Sequence, residues 1–549
     1  MSAVCNGPAT FVLTRRDAGT VVVTDLDGAA TEELPASGLV AYVAAREPDG
    51  PRWVWDGTAR WYPALLEAGV RVARCVDLRL QRAVLRSSRH VDQGPLADGA
   101  GWDALGPVLA TGDAALFAVH DHLPSLDVAA EYGRQLAAVA ASTDPGALRL
   151  LLAAESAAGL AAAEMTHVGL PWRADVHRRI LTELLGPRPR PGARPARLEP
   201  LVERVRAALD APTLNPDSPA ELLAALQRAG LAVTDTRSWT LERLEHPVVP
   251  DLLEYKRLMR LHTANGWHCL DTWVRDGRYR TTYLPGGVVS GRWASTGGGA
   301  LSLPGPLRPC VVADDGWRLV VADVAQLEPR VLAAMSGDTD MARAGRGADL
   351  YQGLVDAGVV ETRADAKLGM LGAMYGATTG ESGRVVDRLR HRFPRAFATV
   401  EAAARAGERG EVVHSRLGRG SPVPTGPWVG RLPEDEAQSL ADAREARAWG
   451  RFTRNFVVQG TGAEWALCWL AALRRALWAL GPDGPLAARP HLAFFLHDEV
   501  VVHTPADLAP AVTAAVRAAA ADATRMLFGA FPIDLPLDVA VVRSYDDAG

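Results

Sequence analysis

Arg318-Leu-Val-Val-Ala-Asp323-Val-Ala-Gln326-Leu-Glu328-Pro-Arg330 is the stretch on which the reading of this chain turns. Its apolar, β-branched run reads as a buried strand, and the strand closes on Asp323. A carboxylate is an anion that apolar neighbours would not choose, so it needs a partner. Downstream, Ala493-Phe-Phe-Leu496 and Val500-Val-Val-His503 read as two more apolar strands flanking His497-Asp498-Glu499. That places a second carboxylate, Asp498, at the tip of a hairpin. If these strands lie side by side, Asp323 and Asp498 can hold two Mg²⁺ ions. Two ions about 3.5–4 Å apart stabilise the attacking and leaving oxygens of an in-line phosphoryl displacement. Mg²⁺ readily shares its shell between one or two carboxylates and substrate phosphates. Singly, a strand-terminal Asp or an HDE tripeptide is common in turns and caps, so the reading rests on their joint occurrence.

Between these strands lies Arg363-Ala-Asp-Ala-Lys367-Leu-Gly-Met-Leu371-Gly-Ala-Met-Tyr375-Gly376. Arg363, Lys367, Leu371 and Tyr375 recur every fourth residue and so share one face of a helix. Two cations, an apolar residue and an aromatic in that order can hold a triphosphate, then a sugar and base. A solvated basic face would show the same spacing. Lys367 gains weight from composition. Of 59 Lys plus Arg, only Lys256 and Lys367 are lysine. A lysine kept in an arginine-rich chain is a candidate for chemistry arginine cannot do, because guanidinium does not give up its proton. Arg451, Asn455 and Gln459, which precede the HDE hairpin, repeat the four-residue spacing. Long polar side chains on such a stripe can follow a phosphate backbone and minor-groove acceptors without reading sequence.

The rest of the chain bounds these motifs. Its 549 residues allow three or four domains, and 48% hydrophobic with 22% charged residues is ordinary for large globular cores. A net charge of −5 shows no global basic field, though a basic cleft on an acidic body remains compatible with it. Cys5, Cys75, Cys269, Cys310 and Cys468 have no CxxC spacing, which argues against a disulfide framework or zinc site and fits a reducing cytosol. No signal peptide is visible at the N-terminus. The most apolar stretch, Leu148 to Met165, is broken by Arg149, Glu155 and Glu164, so no membrane span is expected. Residues 1 to about 145 read as mixed α/β, with strands at Thr20–Thr24 and Arg52–Asp56. Ala129 to Gln227 reads as helical, interrupted by a linker at 186–195. Residues 277–309 read as hairpins and loops, 338–417 as helices, 418–435 as a Gly/Pro loop, and helices resume to Gly481.

Taken together and in order, these elements resemble the family A DNA polymerases, the bacterial DNA polymerase I type, over roughly residues 150–549. Asp323 to Arg330 looks like the family's first palm motif, and His497-Asp498-Glu499 like the second. Arg363 to Gly376 looks like the fingers helix, and Arg451, Asn455 and Gln459 like the primer–template helix. Ser290-Gly-Arg292-Trp-Ala-Ser295 resembles the loop whose arginine touches the primer end. Leu214-Asn-Pro-Asp-Ser218 resembles the thumb segment, and Leu535 to Val539 the last palm strand. The overall pattern is similar to the actinobacterial subgroup described as bifunctional exonuclease/polymerase. The resemblance implies an α+β multidomain fold: a right-hand polymerase with an antiparallel palm sheet and helical fingers and thumb, preceded by an α/β exonuclease-like domain. It implies domains at 1–145 (exonuclease-like, degenerate), 146–290 (thumb and connecting helices), 291–337 (first part of the palm), 338–440 (fingers) and 441–549 (second part of the palm).

The roles implied are residue by residue. Asp323, Asp498, Lys367 and Glu499 are catalytic, and Asp323, Val324 and Asp498 hold the two Mg²⁺ ions. Arg363, Lys367, Leu371, Tyr375, Gln326 and Glu328 bind the nucleotide, with Glu328 excluding a ribose 2′-hydroxyl and Lys367 donating a proton to pyrophosphate. Arg292, Arg451, Asn455, Gln459 and His497 bind DNA. The implied partners are primed template DNA and deoxynucleoside triphosphates, for a cytoplasmic, nucleoid-associated monomer acting in repair or replication. Three positions depart from the family pattern. Leu371 replaces an aromatic, Val324 a Tyr and Tyr351 a His, while Gly297-Gly-Gly299 replaces an Asp/Asn-rich run. A family exonuclease carries Asp-x-Glu on its first strand. This chain offers only Asp25, Asp27 and Asp77, the last on a helix-like run. Two readings stand: a degenerate site built from these three, or an inactive platform. Two alternatives to a polymerase remain open, a polymerase-derived DNA-binding protein with little catalysis and a nuclease.

Overall fold

The computed structural model describes residues 8–103, 105, 126–296, 303–347, 349–376, 381–426, 429 and 436–548. The Gly297-Gly-Gly299 run, Cys5 and most of the second half of the 418–435 loop lie outside these. The chain forms two compact units, one of residues 1–169, 282–295 and 315–542, the other of residues 170–281, 296–314 and 543–549.

The first unit opens with a five-stranded sheet of β1 (Thr10–Arg15), β2 (Thr20–Asp25), β3 (Ala30–Pro35), β4 (Arg52–Trp55) and β5 (Cys75–Asp77), in the order β3-β2-β1-β4-β5. β1 runs antiparallel to β2 and parallel to β4, and β4 is parallel to β5. The central strands are buried on both faces, as parallel strands under helices are. Phe11, Leu13, Trp53 and Trp55 pack on one side, and Val12, Val54 and Val76 on the other. Helices α1 (Thr58–Glu67) and α2 (Leu78–Ser87) follow β4 and β5.

Asp77 is therefore not on a helix, as expected from sequence, but ends a strand. Its carboxylate caps two helices at once, Oδ2 accepting from Thr58 N at 2.7 Å and Oδ1 from Leu80 N at 3.0 Å. The residues after it, Leu-Arg-Leu-Gln, carry the helical periodicity that hid the short strand. Asp25 and Asp27 close a turn instead. Asp25 Oδ1 accepts from Asp27 N and Gly28 N, each at 3.0 Å, and Asp27 Oδ2 from Thr10 N at 2.7 Å. β2 and β5 are three strand steps apart, roughly 14 Å at the usual spacing. The three aspartates do not converge.

Helix α3 (Pro145–Val168) starts at Asp144, whose side chain caps Ala147 N, and ends at Gly169 with φ of +70°. Beyond it come α4 (Leu327–Ser336), α5 (Leu350–Asp356), α6 (Arg363–Tyr375), α7 (Pro394–Glu408), the 45-residue α8 (Glu436–Leu480) and α9 (Ala509–Phe528). Contrary to the expectation from composition, two helices among the described residues are long and apolar enough to cross a membrane, α3 and the Leu440–Leu480 part of α8. Most of each apolar window, 61% and 89%, is buried inside the protein, which accounts for its composition. Within this unit Arg474 of α8 ties the first sheet's helices to the rest. Its guanidinium donates to Glu164 of α3 at 2.6 and 2.8 Å, and to the carbonyls of Val72 and Ala73. Tyr62 OH and Arg71 close on the same Glu164 at 2.6 and 3.0 Å.

The unit's second sheet is antiparallel throughout. It consists of β6 (Trp317–Val324), β7 (His491–Leu496), β8 (Glu499–Pro505) and β9 (Leu537–Val542), in the order β7-β8-β6-β9. Leu319 to Ala322 are buried at its centre.

The second unit is mainly helical, with helices at Ala174–Leu185, Glu199–Ala208, Pro219–Arg228 and Val248–Asn265 around Val205, Leu222, Leu226 and Leu252. The Leu214–Ser218 segment is a reciprocal cap. Ser218 Oγ accepts from Glu221 N at 3.3 Å, and the Glu221 carboxylate accepts from Asn215 N at 3.2 Å. Lys256 lies on the last of these helices, where burial pushes its ammonium pKa down.

Candidate active site

β6 supplies the first carboxylate and the β7–β8 turn the second. The register pairs Asp323 with Glu499 on one side and Asp538 on the other. The turn is tight. His497 takes φ of +58°, a left-handed conformation uncommon outside glycine, and Asp498 N donates to Leu496 O at 2.7 Å. Val324 N then donates to the Asp498 carbonyl at 3.1 Å, which pins the strand end against the hairpin tip. The two aspartates predicted to act together are thus brought together by backbone bonds. Asp323 reaches solvent yet is pushed up to about 7. Desolvation is the first cause, followed by the negative charges of Asp498, Glu499 and Asp538. Asp498 is also raised, chiefly by desolvation. His497 is pushed down to about 4, by burial first and then by Arg292.

Immediately after β6, Gln326 adopts φ of +50° and leads into α4. Its Nε2 donates to Asp349 Oδ1 at 3.2 Å, and its Oε1 accepts from Leu350 N at 2.9 Å. The Glu328 carboxylate is held from two sides, by Arg292 Nη2 at 2.6 Å and by Tyr375 OH at 3.2 Å. The loop carrying Arg292 is anchored by Trp293, buried against Phe495 of β7 with ring centroids 4.9 Å apart.

On α6 the predicted row is real. Ala366, Met370, Ala373 and Met374 are buried, whereas Arg363, Lys367, Leu371 and Tyr375 open to solvent. Leu371 is 36% and Tyr375 45% exposed, an apolar surface on the same row as two cations. Arg363 Nε pairs with Asp349 Oδ2 at 2.6 Å and its guanidinium lies 5.6 Å from the centroid of the Tyr351 ring. Lys367 is exposed and makes no ion pair among the described residues. On α8, Arg451 is exposed and Asn455 and Gln459 are half-buried, in a stretch whose Thr453, Phe456, Val457 and Val458 are buried. Gln459 Oε1 accepts from Ser290 Oγ at 2.6 Å.

Residues 195–547 match the model of DNA polymerase family A. The chain belongs to that family. Among relatives, it is 29% identical over 328 residues to the thermostable DNA polymerase I of Thermus filiformis, covering 54% of this chain and 36% of that protein. It is 27% identical over 337 residues to DNA polymerase I of Mycobacterium bovis, covering 56% and 34%. The chain spans about a third of the length of the curated relatives it matches. In fold it is similar to the POL domain of Pol1 from M. smegmatis, solved in complex with DNA primer-template and dNTP. The TM-score is 0.68 at 18% identity, covering 98% of this chain and 96% of that one. The mixed helix-and-sheet architecture expected of a family A chain is what the structure has.

Three contributors escaped the sequence reading of this family A chain. Arg330 was quoted within its motif but given no role. It is fully buried, with its guanidinium donating to the carbonyls of Ala325, Gly345, Gly347 and Asp534. Ser290 fixes Gln459. Asp349 joins Gln326 to Arg363, and its only sequence signal is an Asp placed to cap a helix.

Proposed function

We propose that this chain is a template-directed DNA polymerase that adds deoxynucleotides to a primer 3′ end. The observation that supports it best is the juxtaposition of Asp323 and Asp498 in an acidic cluster at one end of the antiparallel sheet, with the cation-bearing row of α6 left open to solvent. The donor set fits Mg²⁺, being all oxygen, and a carboxylate raised to about 7 by desolvation and then by its acidic neighbours is one that a divalent cation would return to its charged form. Asp323, Asp498 and Val324 would hold two ions, with Glu499 beside them. Bound there, the ions would neutralise charge on the attacking and leaving oxygens.

The chain's own groups do the rest. Arg363 and Lys367 bind the triphosphate, and Lys367, exposed and without an ion pair among the described residues, passes a proton to the departing pyrophosphate. Leu371 and Tyr375 carry the sugar and base. Glu328, clamped by Arg292 and Tyr375, fills the space a 2′-hydroxyl would need, and Gln326 orients the strand end. Arg292, Arg451, Asn455, Gln459 and His497 follow the primer–template. The substrates are primed template DNA and deoxynucleoside triphosphates, and the role is DNA repair or replication by a cytoplasmic monomer. In this reading residues 338–440 are fingers, the β6–β9 sheet is palm, residues 146–290 include the thumb, and residues 1–145 are an exonuclease-like platform without proofreading, because Asp25, Asp27 and Asp77 are used in a turn and in caps.

Primer extension with and without Mg²⁺, run beside digestion of single-stranded DNA, tests all of this. Mg²⁺-dependent extension with a mismatched 3′ end left intact is expected. DNA binding without extension would make the chain a polymerase-derived binding protein. Shortening that stops in Asp25→Ala/Asp27→Ala would restore the nuclease reading.

A further inference from the structure

Asp349 divides its carboxylate between two tasks. Oδ1 accepts from Tyr351 N at 2.9 Å and Gln352 N at 3.2 Å, capping α5, and takes Gln326 Nε2 at 3.2 Å. Oδ2 is given to Arg363 Nε, at 2.6 Å. The ring of Tyr351 lies beneath the same guanidinium. Of the two cations on the open row of α6, Arg363 is thus held on Asp349 and Tyr351, whereas Lys367 is unpaired among the described residues. A guanidinium bonded to a carboxylate through Nε cannot present that edge to a phosphate. Asp349 and an incoming triphosphate are competitors for one cation.

We propose that Asp349 is a positioning residue that parks Arg363, so that a nucleoside triphosphate must displace it, and that this competition sets nucleotide affinity. The proposal rests on the reading of Arg363 as a triphosphate ligand. The same carboxylate holds Gln326, three residues beyond Asp323, so the parked state of α6 is referenced to the strand that carries the first catalytic carboxylate. Releasing Arg363 leaves the Oδ1 cap and the Gln326 bond in place.

Asp349→Asn separates the tasks. Asparagine caps helices as well as aspartate does and keeps an Oδ1 acceptor for Tyr351 N and Gln352 N, but turns an amide donor toward Arg363. The ion pair is half-exposed, with side chains 53% and 33% accessible, so the effect is modest. Exposed pairs correspond to changes of up to about fivefold in an equilibrium constant.

The experiment measures the dissociation constant of the templated nucleotide on a chain-terminated primer–template, and single-turnover incorporation on an extendable one. Asp349→Asn should bind the nucleotide about two- to fivefold more tightly with an unchanged maximal rate and unchanged melting temperature. Inorganic tripolyphosphate, tested as a competitor without DNA, should show the same gain. The gain should vanish in an Arg363→Ala background. If Arg363→Ala leaves nucleotide affinity unchanged, the triphosphate reading of Arg363 fails and the proposal falls with it. If Arg363→Ala weakens binding but Asp349→Asn fails to tighten it, that reading stands and the parking proposal is overturned. Weaker binding with a lowered melting temperature in Asp349→Asn would make Asp349 a cap only, which also overturns it.

Discussion

Asp77 and Asp323 lie at the carboxy ends of two apolar strands, one a three-residue edge strand and the other an eight-residue inner strand, and meet different surroundings. Each follows an apolar run, but Asp77 is the last residue of β5 and itself caps the helix that starts at Leu78, whereas Asp323 is followed in β6 by Val324 and then by a turn into α4. At Asp77 both carboxylate oxygens receive backbone N–H groups, from Thr58 and Leu80, and the residue is buried. At Asp323 the neighbours across the register are Glu499 and Asp538, with Asp498 on the adjoining turn. One site gives its carboxylate two helix N–H donors and so stabilises helix starts, although burial still raises it above the ordinary value. The other is raised to about 7 by desolvation first and then by the like charges gathered round it, which stores repulsion at the place where chemistry is proposed. The residue type is the same, and the difference that matters lies in what faces the oxygens.

Neutralising each carboxylate should have opposite consequences. Asp323→Asn should lower single-turnover extension by on the order of 10³-fold, the scale of losing a group that acts on transition-state charge. Its melting temperature should stay level or rise, because a repelling charge is gone. Near-normal extension would end the assignment of Asp323. Asp77→Ala should do the reverse. Two helix N–H groups lose their acceptor inside the protein, a loss of about 2–4 kcal/mol in stability, with extension retained below the lowered melting transition. An Asp77→Ala variant that keeps full stability but loses a 3′ trimming activity would show the first sheet to be catalytic.

Glu464 sharpens the comparison from between the two cases. It has donors, Ser415 Oγ and Leu417 N, the latter at 2.9 Å, yet it is fully buried and desolvation pushes it up to about 7. A carboxyl whose folded-state pKa lies above its ordinary value of 4.5 adds stability that is complete below about pH 4.5 and is lost as pH rises through about 7. The contribution is at most on the order of 3 kcal/mol. The melting temperature of the wild type should therefore fall more steeply between pH 5 and 8 than that of Glu464→Gln. Parallel profiles would mean that the donors outweigh burial.

What the sequence made legible follows from the range of the interactions. The apolar run before Asp323, the hairpin around Asp498 and the four-residue rows on α6 and α8 are local patterns, and each stands in the structure where periodicity places it. Asp77 was misassigned because β5 is three residues long and runs straight into a helix whose periodicity dominates the window. Its capping of Thr58, 19 residues away, has no local signature. The apolar helices α3 and α8 show the same limit, since what covers them is tertiary. Arg330, Ser290 and Asp349 act through partners distant in the chain or through backbone carbonyls. No spacing rule announces a backbone carbonyl or an Arg363 that lies 14 residues on.

The smallest effect concerns Glu328, a carboxylate held by two side chains. Arg292 bonds Oε1 at 2.6 Å, and Tyr375 OH bonds Oε2 at 3.2 Å. If Glu328 excludes a 2′-hydroxyl by occupying its space, the discrimination depends on how firmly the carboxylate is kept there. Tyr375→Phe removes the longer bond and leaves the ion pair and the ring. One such hydrogen bond at an accessible site is worth about 1 kcal/mol. The ratio of ribonucleotide to deoxyribonucleotide incorporation should then rise by up to about fivefold, the kinetic equivalent of that energy. Glu328→Ala, which removes the obstacle itself, should raise the ratio further. Competition between a ribo- and a deoxyribonucleotide on one template reads both. An unchanged ratio in Tyr375→Phe with a raised ratio in Glu328→Ala would show that Arg292 alone positions the gate, and an unchanged ratio in both would place the gate outside Glu328.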